Sequence, residues 1–186
     1  IGFAVTMSTT FYPPFLLART LATLDHLTAG RIGWNIVSST STAEAKNFGL
    51  DELPGHDERY DMADEYVEAC HSLWNNWGDD AVKMDMEHKI FADPEKVRPV
   101  DFCGRWYKTR GPFTVVPSAR RRPYLFQAGQ SDRGRTFAAK HAEGIFSAAR
   151  GVKQMRSFSD DIAGQAEQIG RDPAGIPILW AAMPLV

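Results

Sequence analysis

Three short groups of polar residues in this chain have the types and spacing to bind a ligand. A run of serines and threonines occupies residues 38–42, directly after a short apolar stretch. His56 and Tyr60 follow, four residues apart, and Gly129-Gln130-Ser131 precedes a segment with helical periodicity. These groups contain no carboxylate. The chemistry they offer is therefore recognition by hydroxyl, amide, imidazole and backbone N–H groups.

The segment from Gly129 to Ser131 has the features of a phosphate cradle. A helix N-terminus presents free N–H groups and a partial positive charge, glycine lets the backbone approach the ligand, and serine adds a donor. The alternative is that Ser131 or Asp132 only caps the helix. The hydroxyls of Ser39 and Tyr60 favour the phosphate interpretation if the fold brings them to the same place.

His56 and Tyr60 share one helical face if the helix begins by His56. Alternatively, His56 is part of a polar cap and Tyr60 is a core aromatic residue. Asn35 stands inside an otherwise apolar strand, where a buried amide needs a hydrogen-bond partner. A neighbouring strand or the edge of a ligand ring would satisfy it, and the sequence leaves both open.

The patterns of several other functional classes are missing. The predicted strand ends lack paired carboxylates, a His/Cys metal cluster, a nucleophile elbow and a Walker loop, so hydrolysis and phosphoryl transfer find little support. A net charge of −2 argues against nucleic-acid binding. No apolar run approaches the ~20 residues that span a bilayer. The cysteines, Cys70 and Cys103, fit a reducing compartment, and we expect a cytoplasmic protein.

The elements that must position these groups alternate between strands and helices. Apolar runs predict strands over residues 1–7, 32–37, 124–128, 145–149 and 178–186. Helical periodicity fills the intervals between them, with the strongest helix predicted over residues 57–77. This alternation indicates an α/β fold with a parallel sheet and right-handed crossovers.

The interval 78–123 breaks the alternation with many charges, prolines and glycines. A structureless loop of this length is uncommon in compact domains. We interpret it as an insertion with some β structure of its own, including strand-like pieces at residues 106–108 and 113–116. Residues 1–186 are expected to form a single, partial domain that contains this insertion.

Five strands fit either an open doubly wound sheet or part of a (β/α)8 TIM barrel. The chain starts and stops within strand-like runs and has no initiator methionine. A complete barrel takes ~250 residues. We therefore expect a fragment that contains about five of the parallel strands of a barrel.

Sequence blocks in a fixed order carry a family resemblance. The blocks LATLDHLTAGRIGWNIVSS, HDERYDMADEY and YKTRGPFTVVPSARRRPYLFQAGQSDRGRTFAAKHAE resemble the luciferase-like flavin monooxygenases. Within that superfamily they are similar to the group that contains nitrilotriacetate monooxygenase, dibenzothiophene sulfone monooxygenase and pristinamycin synthase. The resemblance implies a luciferase-like (β/α)8 barrel and aligns these strands with roughly its third to seventh.

The resemblance also implies an activity. The expected function is that of an FMNH2-dependent monooxygenase, the oxygenase component of a two-component system. It would insert one oxygen of O2 into a small organic substrate through a flavin C4a-hydroperoxide. A separate NAD(P)H:flavin reductase would be its partner, and a homo-oligomer is expected. Two alternatives stay open: a non-catalytic flavin- or phosphate-binding module, and a deazaflavin-dependent oxidoreductase of the same superfamily.

The matching motifs assign roles to individual residues. The FMN phosphate would be held by residues at two strand ends and one helix start: Val37, Ser39, Tyr60, Gly129, Gln130 and Ser131. The flavin ring, or the pocket beside it, would be lined by Thr6, Asn35 and His56. His56 is the one candidate for a catalytic polar group near the reacting face. Because relatives often have a small residue in place of Gln130, its backbone N–H is the expected donor. No metal is expected.

Overall fold

The computed structural model describes residues 1–182. The chain forms two compact units. The first contains residues 1–3, 9–32 and 61–123, and the second contains residues 4–8, 33–60 and the described residues from 124 onward.

The secondary structure has the predicted alternation with additional short elements. The helices are α1 (Pro14–Leu27), α2 (Thr42–Asn47), α3 (His56–Trp74), α4 (Asp132–His141) and α5 (Val152–Gln168). The strands are β1 (Phe3–Ser8), β2 (Ile32–Val37), β3 (Val82–Asp85), β4 (Ile90–Ala92), β5 (Phe102–Cys103), β6 (Lys108–Thr109), β7 (Tyr124–Gln127), β8 (Gly144–Ser147) and β9 (Ile178–Trp180).

The main sheet has five parallel strands in the order β1-β2-β7-β8-β9. In its register Asn35 pairs with Phe126, and Ile145 pairs with Ile178. Neighbouring strands follow one another in chain order, as in a barrel, whereas a doubly wound sheet reverses its order at a switch point. The prediction of five parallel strands is confirmed. The predicted last strand extends over residues 183–186, which lie outside the described residues.

The core of the second unit lies between α4, α5 and one face of the sheet. Its buried members are Ala138, Ala142, Ile145, Phe158, Ile162, Ala166 and Ile176. The opposite face of the sheet is partly exposed at β8 and β9. Phe146 is 50% exposed and Leu179 is 47% exposed, although their strand neighbours Ile145 and Ser147 are buried.

In the first unit, α1 packs against the later part of α3. Leu17 and Leu21 are fully buried, and Trp74 Nε1 donates to the carbonyl oxygen of Ala18 at 3.2 Å. In the sequence, Leu27 continues the helical spacing of this apolar stripe, but it is 77% exposed. Successive three-residue steps fall about 60° short of a full turn. The stripe therefore drifts, and Asp25 takes the buried position instead.

The segment 78–123 contains two antiparallel strand pairs, β3-β4 and β5-β6. The strand-like piece predicted at residues 106–108 corresponds only in part to β6. Residues 113–116 form no strand, so that prediction is wrong. Pro112 and Pro117 flank this piece and cannot donate to a strand ladder.

Glu65 anchors one loop of this segment. Its carboxylate accepts hydrogen bonds from the backbone N–H groups of Arg105, Trp106 and Tyr107 at 2.8, 2.8 and 2.7 Å. A Cβ built on Gly104 would lie 2.1 Å from Glu65 Oε1. Glycine at this position is thus what lets the carboxylate reach the loop.

The short helix α2 was not predicted. Ser41 caps its start, because its side chain accepts a hydrogen bond from the backbone N–H of Glu44 at 3.2 Å. Serine followed three residues later by glutamate is a known helix-start pattern. The sequence therefore carried a signal for α2, although the helix is short.

Candidate functional site

Four residues separate the end of β7 from the start of α4, and this turn is held by local hydrogen bonds. Ser131 is the N-cap, and its Oγ accepts from the backbone N–H of Gly134 at 3.1 Å. Across the turn before it, the N–H of Gly129 donates to Gln127 Oε1 at 2.6 Å. The first N–H groups of an α-helix are not used by its own hydrogen-bond ladder. This arrangement favours an anion at the start of α4.

His56 and Tyr60 lie at this helix start. Since α3 begins at His56, the two rings share a face, with centroids 5.2 Å apart. His56 Nε2 is hydrogen-bonded to Ser131 Oγ at 3.2 Å, and His56 Nδ1 to Asp57 Oδ1 at 2.6 Å. The structure therefore brings together three of the predicted residues: His56, Tyr60 and Ser131.

The Tyr60 hydroxyl lies between two glycines. A Cβ built on Gly129 or on Gly134 would be 2.7 Å from Tyr60 Oη in each case. The Tyr60 ring also packs against Phe137 of α4, with centroids 5.6 Å apart. Tyr60 is 9% exposed. Its hydroxyl can donate a hydrogen bond to an anion bound at the helix start.

Sequence reasoning missed Gly134 and Gln127. Gly134 makes room for the Tyr60 hydroxyl, and the Gln127 side chain orders the turn at Gly129. Gln127 lies in the QAGQS block. No local sequence pattern predicts the contacts of a glycine within a helix or of an amide at a strand end.

The side chain of Gln130 contacts the end of β8. Its Nε2 donates to Ser147 Oγ, at the end of β8, at 3.1 Å. Ser147 is 1% exposed, so this hydrogen bond is shielded from water. The side chain of Gln130 is thus engaged by Ser147, and the expected role of its backbone N–H stays a prediction.

Thr6 and Asn35 form a pair on neighbouring strands β1 and β2. Asn35 Nδ2 donates to Thr6 Oγ1 at 3.0 Å. Asn35 Oδ1 is buried and has no hydrogen-bond partner among the described residues. The neighbouring strand thus accepts the hydrogen bond of the Asn35 amide nitrogen, whereas the Asn35 side-chain oxygen lacks a donor among the described residues. An orphaned carbonyl oxygen of this kind fits a ligand that carries an N–H group.

Val37 and Ser39 lie at the end of β2. Ser39 Oγ donates to Ser8 Oγ at 2.9 Å, and Ser39 is 9% exposed. Its φ of 56° is in the left-handed region, which a serine seldom adopts. The Ser39 hydroxyl thus pairs with β1 in the present geometry and makes no hydrogen bond to Ser131. Its predicted phosphate role stays a prediction.

The chain Asp57–His56–Ser131 has the atom order of a serine hydrolase triad. Two observations disfavour that chemistry. The Asp57 side chain is 78% exposed, whereas a triad aspartate is buried. Ser131 Oγ already serves as the helix cap for Gly134. The geometry fits binding of an anion better than nucleophilic attack.

The described part of the chain offers neither a metal site nor a membrane span. Within residues 1–182, no group of three or more His, Cys, Asp or Glu side chains is arranged to hold a metal ion. In the same range, no helix has the length and apolar character needed to cross a membrane.

Comparison with known proteins assigns the family. A sequence model of the luciferase-like monooxygenases matches residues 1–186. The chain belongs to the luciferase-like monooxygenase family. The resemblance noted in the sequence blocks is thereby confirmed.

Individual relatives agree with this assignment. The chain is 49% identical to the dimethyl-sulfide monooxygenase of Hyphomicrobium sulfonivorans over 179 residues, which is 96% of this chain and 37% of that protein. It is 45% identical to the dibenzothiophene-sulfone monooxygenase of Rhodococcus erythropolis over 186 residues, which is 100% of this chain and 41% of that protein. The chain thus spans about two fifths of the length of these curated relatives.

Solved structures support the fold. The crystal structure of a long-chain alkane monooxygenase superposes with a TM-score of 0.94 at 46% identity, covering 97% of this chain and 42% of that one. The structural neighbours are luciferase-like TIM barrels, so the predicted barrel type of the five-stranded sheet is confirmed.

Proposed function

We propose that this chain carries the phosphate-binding part and one ring-binding part of a reduced-FMN site in a flavin-dependent monooxygenase. The observation that carries the proposal is the start of α4, where the Ser131 cap, the His56 ring and the Tyr60 hydroxyl meet beside two glycines. Luciferase-like monooxygenases use reduced flavin, which makes FMN the fitting ligand.

The phosphate end of the site is proposed at the first turn of α4. The helix N-terminus supplies N–H donors and a partial positive charge. Tyr60 and Ser131 add hydroxyls, and the Arg133 guanidinium lies 5.6 Å from the centre of the Tyr60 ring. Glycine at positions 129 and 134 keeps the space beside the hydroxyl free of side chains. These groups are donors or cations, as binding of a phosphate requires.

The ring end of the site is proposed at Thr6 and Asn35. Asn35 Oδ1 needs a donor, and the flavin ring edge carries N–H groups. The Thr6 oxygen accepts from Asn35, so its own hydrogen is available to a carbonyl oxygen of the ring. This pair would orient the ring edge by complementary hydrogen bonds.

Reduced flavin, when bound, supplies the reaction with O2, and the residues of this chain bind and orient it. His56 was a candidate for a catalytic role. Its Nε2 contacts Ser131 at the helix start, which favours cofactor binding over a role at the reacting face. Asp57, on Nδ1, would keep the ring in one orientation.

We further propose that the whole protein is the oxygenase component of a two-component system. Its relatives are named for monooxygenation of a sulfide and a sulfone. A small organic substrate, O2 as co-substrate, a separate NAD(P)H:flavin reductase and self-assembly into a homo-oligomer complete the proposal.

The binding part of the proposal is tested by anaerobic titration of the protein with reduced FMN. Tyr60→Phe should weaken binding by about 1 kcal/mol or more, because it removes a hydroxyl that would bond a charged group. Tyr124→Phe is the matched control. It removes a hydroxyl that donates to the backbone carbonyl of Glu143 at the opposite end of β7. Equal affinities for all three proteins would contradict the phosphate assignment.

The reaction class is tested with isotopically labelled oxygen. The protein is supplied with reduced FMN, 18O2 and dimethyl sulfide or dibenzothiophene sulfone as probes. A product that gains one 18O atom supports monooxygenation. Flavin binding without label in any product supports the alternative of a binding module.

A further inference from the structure

Arg135 connects the start of α4 to its surroundings through three groups of its side chain. Its Nη1 donates to the carbonyl oxygen of Gln130 at 2.7 Å, and its Nη2 pairs with the Asp132 carboxylate. Its Nε donates to Asp161 Oδ2, on α5, at 2.5 Å. The Arg135 side chain is 25% exposed, so these contacts are partly shielded from water.

The contact with Gln130 fixes the orientation of the next amide. A trans peptide is planar, so the carbonyl of Gln130 and the N–H of Ser131 point in opposite directions. With the carbonyl held on the Arg135 side, the Ser131 N–H is directed to the other side. Rotation of this peptide would break the hydrogen bond to a guanidinium, which is a charge-assisted one.

We propose that Arg135 is a positioning residue for anion recognition: by holding the Gln130 carbonyl, it directs the Ser131 N–H toward the ligand phosphate. This inference rests on the proposed FMN site. Arg135 itself is not proposed as a direct phosphate ligand, because its charge is opposed by two carboxylates, those of Asp132 and Asp161.

Asp161 holds Arg135 in place from the neighbouring helix. It accepts from Arg135 Nε, and its Oδ2 also accepts from Gln165 Nε2 at 3.0 Å. The guanidinium therefore has one partner on the loop, one on α4 and one on α5. A planar fork can satisfy three directions at once, which a lysine ammonium on a flexible stem does less well.

Two substitutions separate positioning from simple electrostatic attraction. Arg135→Lys keeps the positive charge and removes the fork, and Asp161→Asn removes a negative charge near the site. If charge alone mattered, FMN binding would be unchanged in the first variant and tighter in the second. If Arg135 positions the peptide, binding should be weaker in both.

The experiment compares reduced FMN with reduced riboflavin, which lacks the phosphate, in anaerobic titrations of the wild type and both variants. We expect the preference for FMN over riboflavin to fall about tenfold in Arg135→Lys and about threefold or more in Asp161→Asn. Riboflavin affinity should stay the same, because the ring contacts at Thr6 and Asn35 are distant in sequence from this network and share no hydrogen bond with it. A general loss of structure would lower both affinities.

The titrations test the positioning role of Arg135 separately from the phosphate site itself. If the wild type prefers FMN and both variants keep that preference within about twofold, the role of Arg135 is overturned. Parallel loss of FMN and riboflavin binding also overturns it and leaves a purely structural role. If the wild type itself binds riboflavin as tightly as FMN, the proposed phosphate site fails.

Discussion

The hydroxyl of Tyr60 occupies the space where a side chain on Gly134 would begin. A Cβ at Gly134 would lie 2.7 Å from Tyr60 Oη and 2.9 Å from Ser131 Oγ. Such a contact is too short for unbonded atoms, so the two positions constrain each other. Glycine in the first turn of α4 is therefore explained by the site and not by the helix, in which glycine is unfavourable.

Gly134→Ala should destabilise the protein, whereas alanine in place of glycine within a helix ordinarily stabilises it. Alanine in place of a helical glycine stabilises by roughly 0.5–1 kcal/mol. At Gly134 the displaced Tyr60 hydroxyl should instead give a loss of about 1–3 kcal/mol, together with weaker binding of reduced FMN. Gly164→Ala in α5 is the matched control, since a Cβ there meets nothing within 4 Å. The free energy of unfolding of both variants is measured in urea. If both substitutions stabilised the protein, the Tyr60 hydroxyl would have moved away from the new Cβ without strain.

Ser131 has two functions that substitutions can separate. Ser131→Ala removes the cap on the Gly134 N–H, which should cost about 1 kcal/mol of stability, and it also removes a ligand donor. Ser131→Asp keeps an acceptor for the cap but places a negative charge at the proposed phosphate position. We expect normal unfolding and poor FMN binding in Ser131→Asp, measured by thermal denaturation and titration.

A control for the cap is available on another helix. Ser41→Ala removes the N-cap of α2 and should reduce stability while leaving FMN affinity unchanged. If Ser131→Asp bound FMN as well as the wild type, Ser131 would be a helix cap and nothing more.

The protein should lose stability at alkaline pH because of buried acids in the first unit. Burial raises the pKa of the Cys70 thiol well above its ordinary value of 9.0 and that of Tyr66 above 10.0. Both groups are neutral in the folded state, and in the unfolded chain they ionise once the pH exceeds these ordinary values. The contribution of Cys70 is therefore fully present below about pH 9 and that of Tyr66 below about pH 10. Above its own value, each contribution decreases by up to about 1.4 kcal/mol per pH unit.

Cys70→Ala tests this directly. The free energy of unfolding should depend less steeply on pH between about 9 and 10 than in the wild type, whatever the absolute stability of the variant. Cys103→Ala, which removes an exposed thiol, is the control and should leave the slope unchanged. Identical slopes in all three proteins would mean that Cys70 ionises in the folded state.

Glu65 should control the order of the loop at residues 104–107. Its carboxylate accepts three backbone N–H groups, which a neutral amide with one oxygen cannot replace. In Glu65→Gln, hydrogen exchange at Arg105, Trp106 and Tyr107 should become faster, whereas exchange in β7 should not change. Unaltered protection of the three amides would show that the loop is held by other contacts.

The sequence predicted the elements of the main sheet and its helices well because their patterns are local. An apolar run such as that of β2, or the stop after α1, is determined by residues close in the chain. Gly30 illustrates this, because glycine favours the left-handed conformation that ends a helix, and here its φ is 77° and its N–H donates to the Asp25 carbonyl.

The site was predictable only in part, because its contacts join distant residues. His56, Tyr60 and Ser131 were named from motifs, and the structure places them together. The role of Gly134 depends on Tyr60, and the rotamer of Gln130 depends on Ser147. No local sequence pattern predicts either of these two contacts. The role proposed for Arg135 could not be predicted from the sequence either, because two of its partners lie on a loop and on another helix.

A crystal structure of the protein with FMN bound would test the proposed site most directly. We expect the phosphate at the first turn of α4, within hydrogen-bond distance of Ser131 and of the Tyr60 hydroxyl, with Asn35 Oδ1 accepting from the flavin ring. A phosphate bound away from Ser131 and Tyr60 would contradict the assignment.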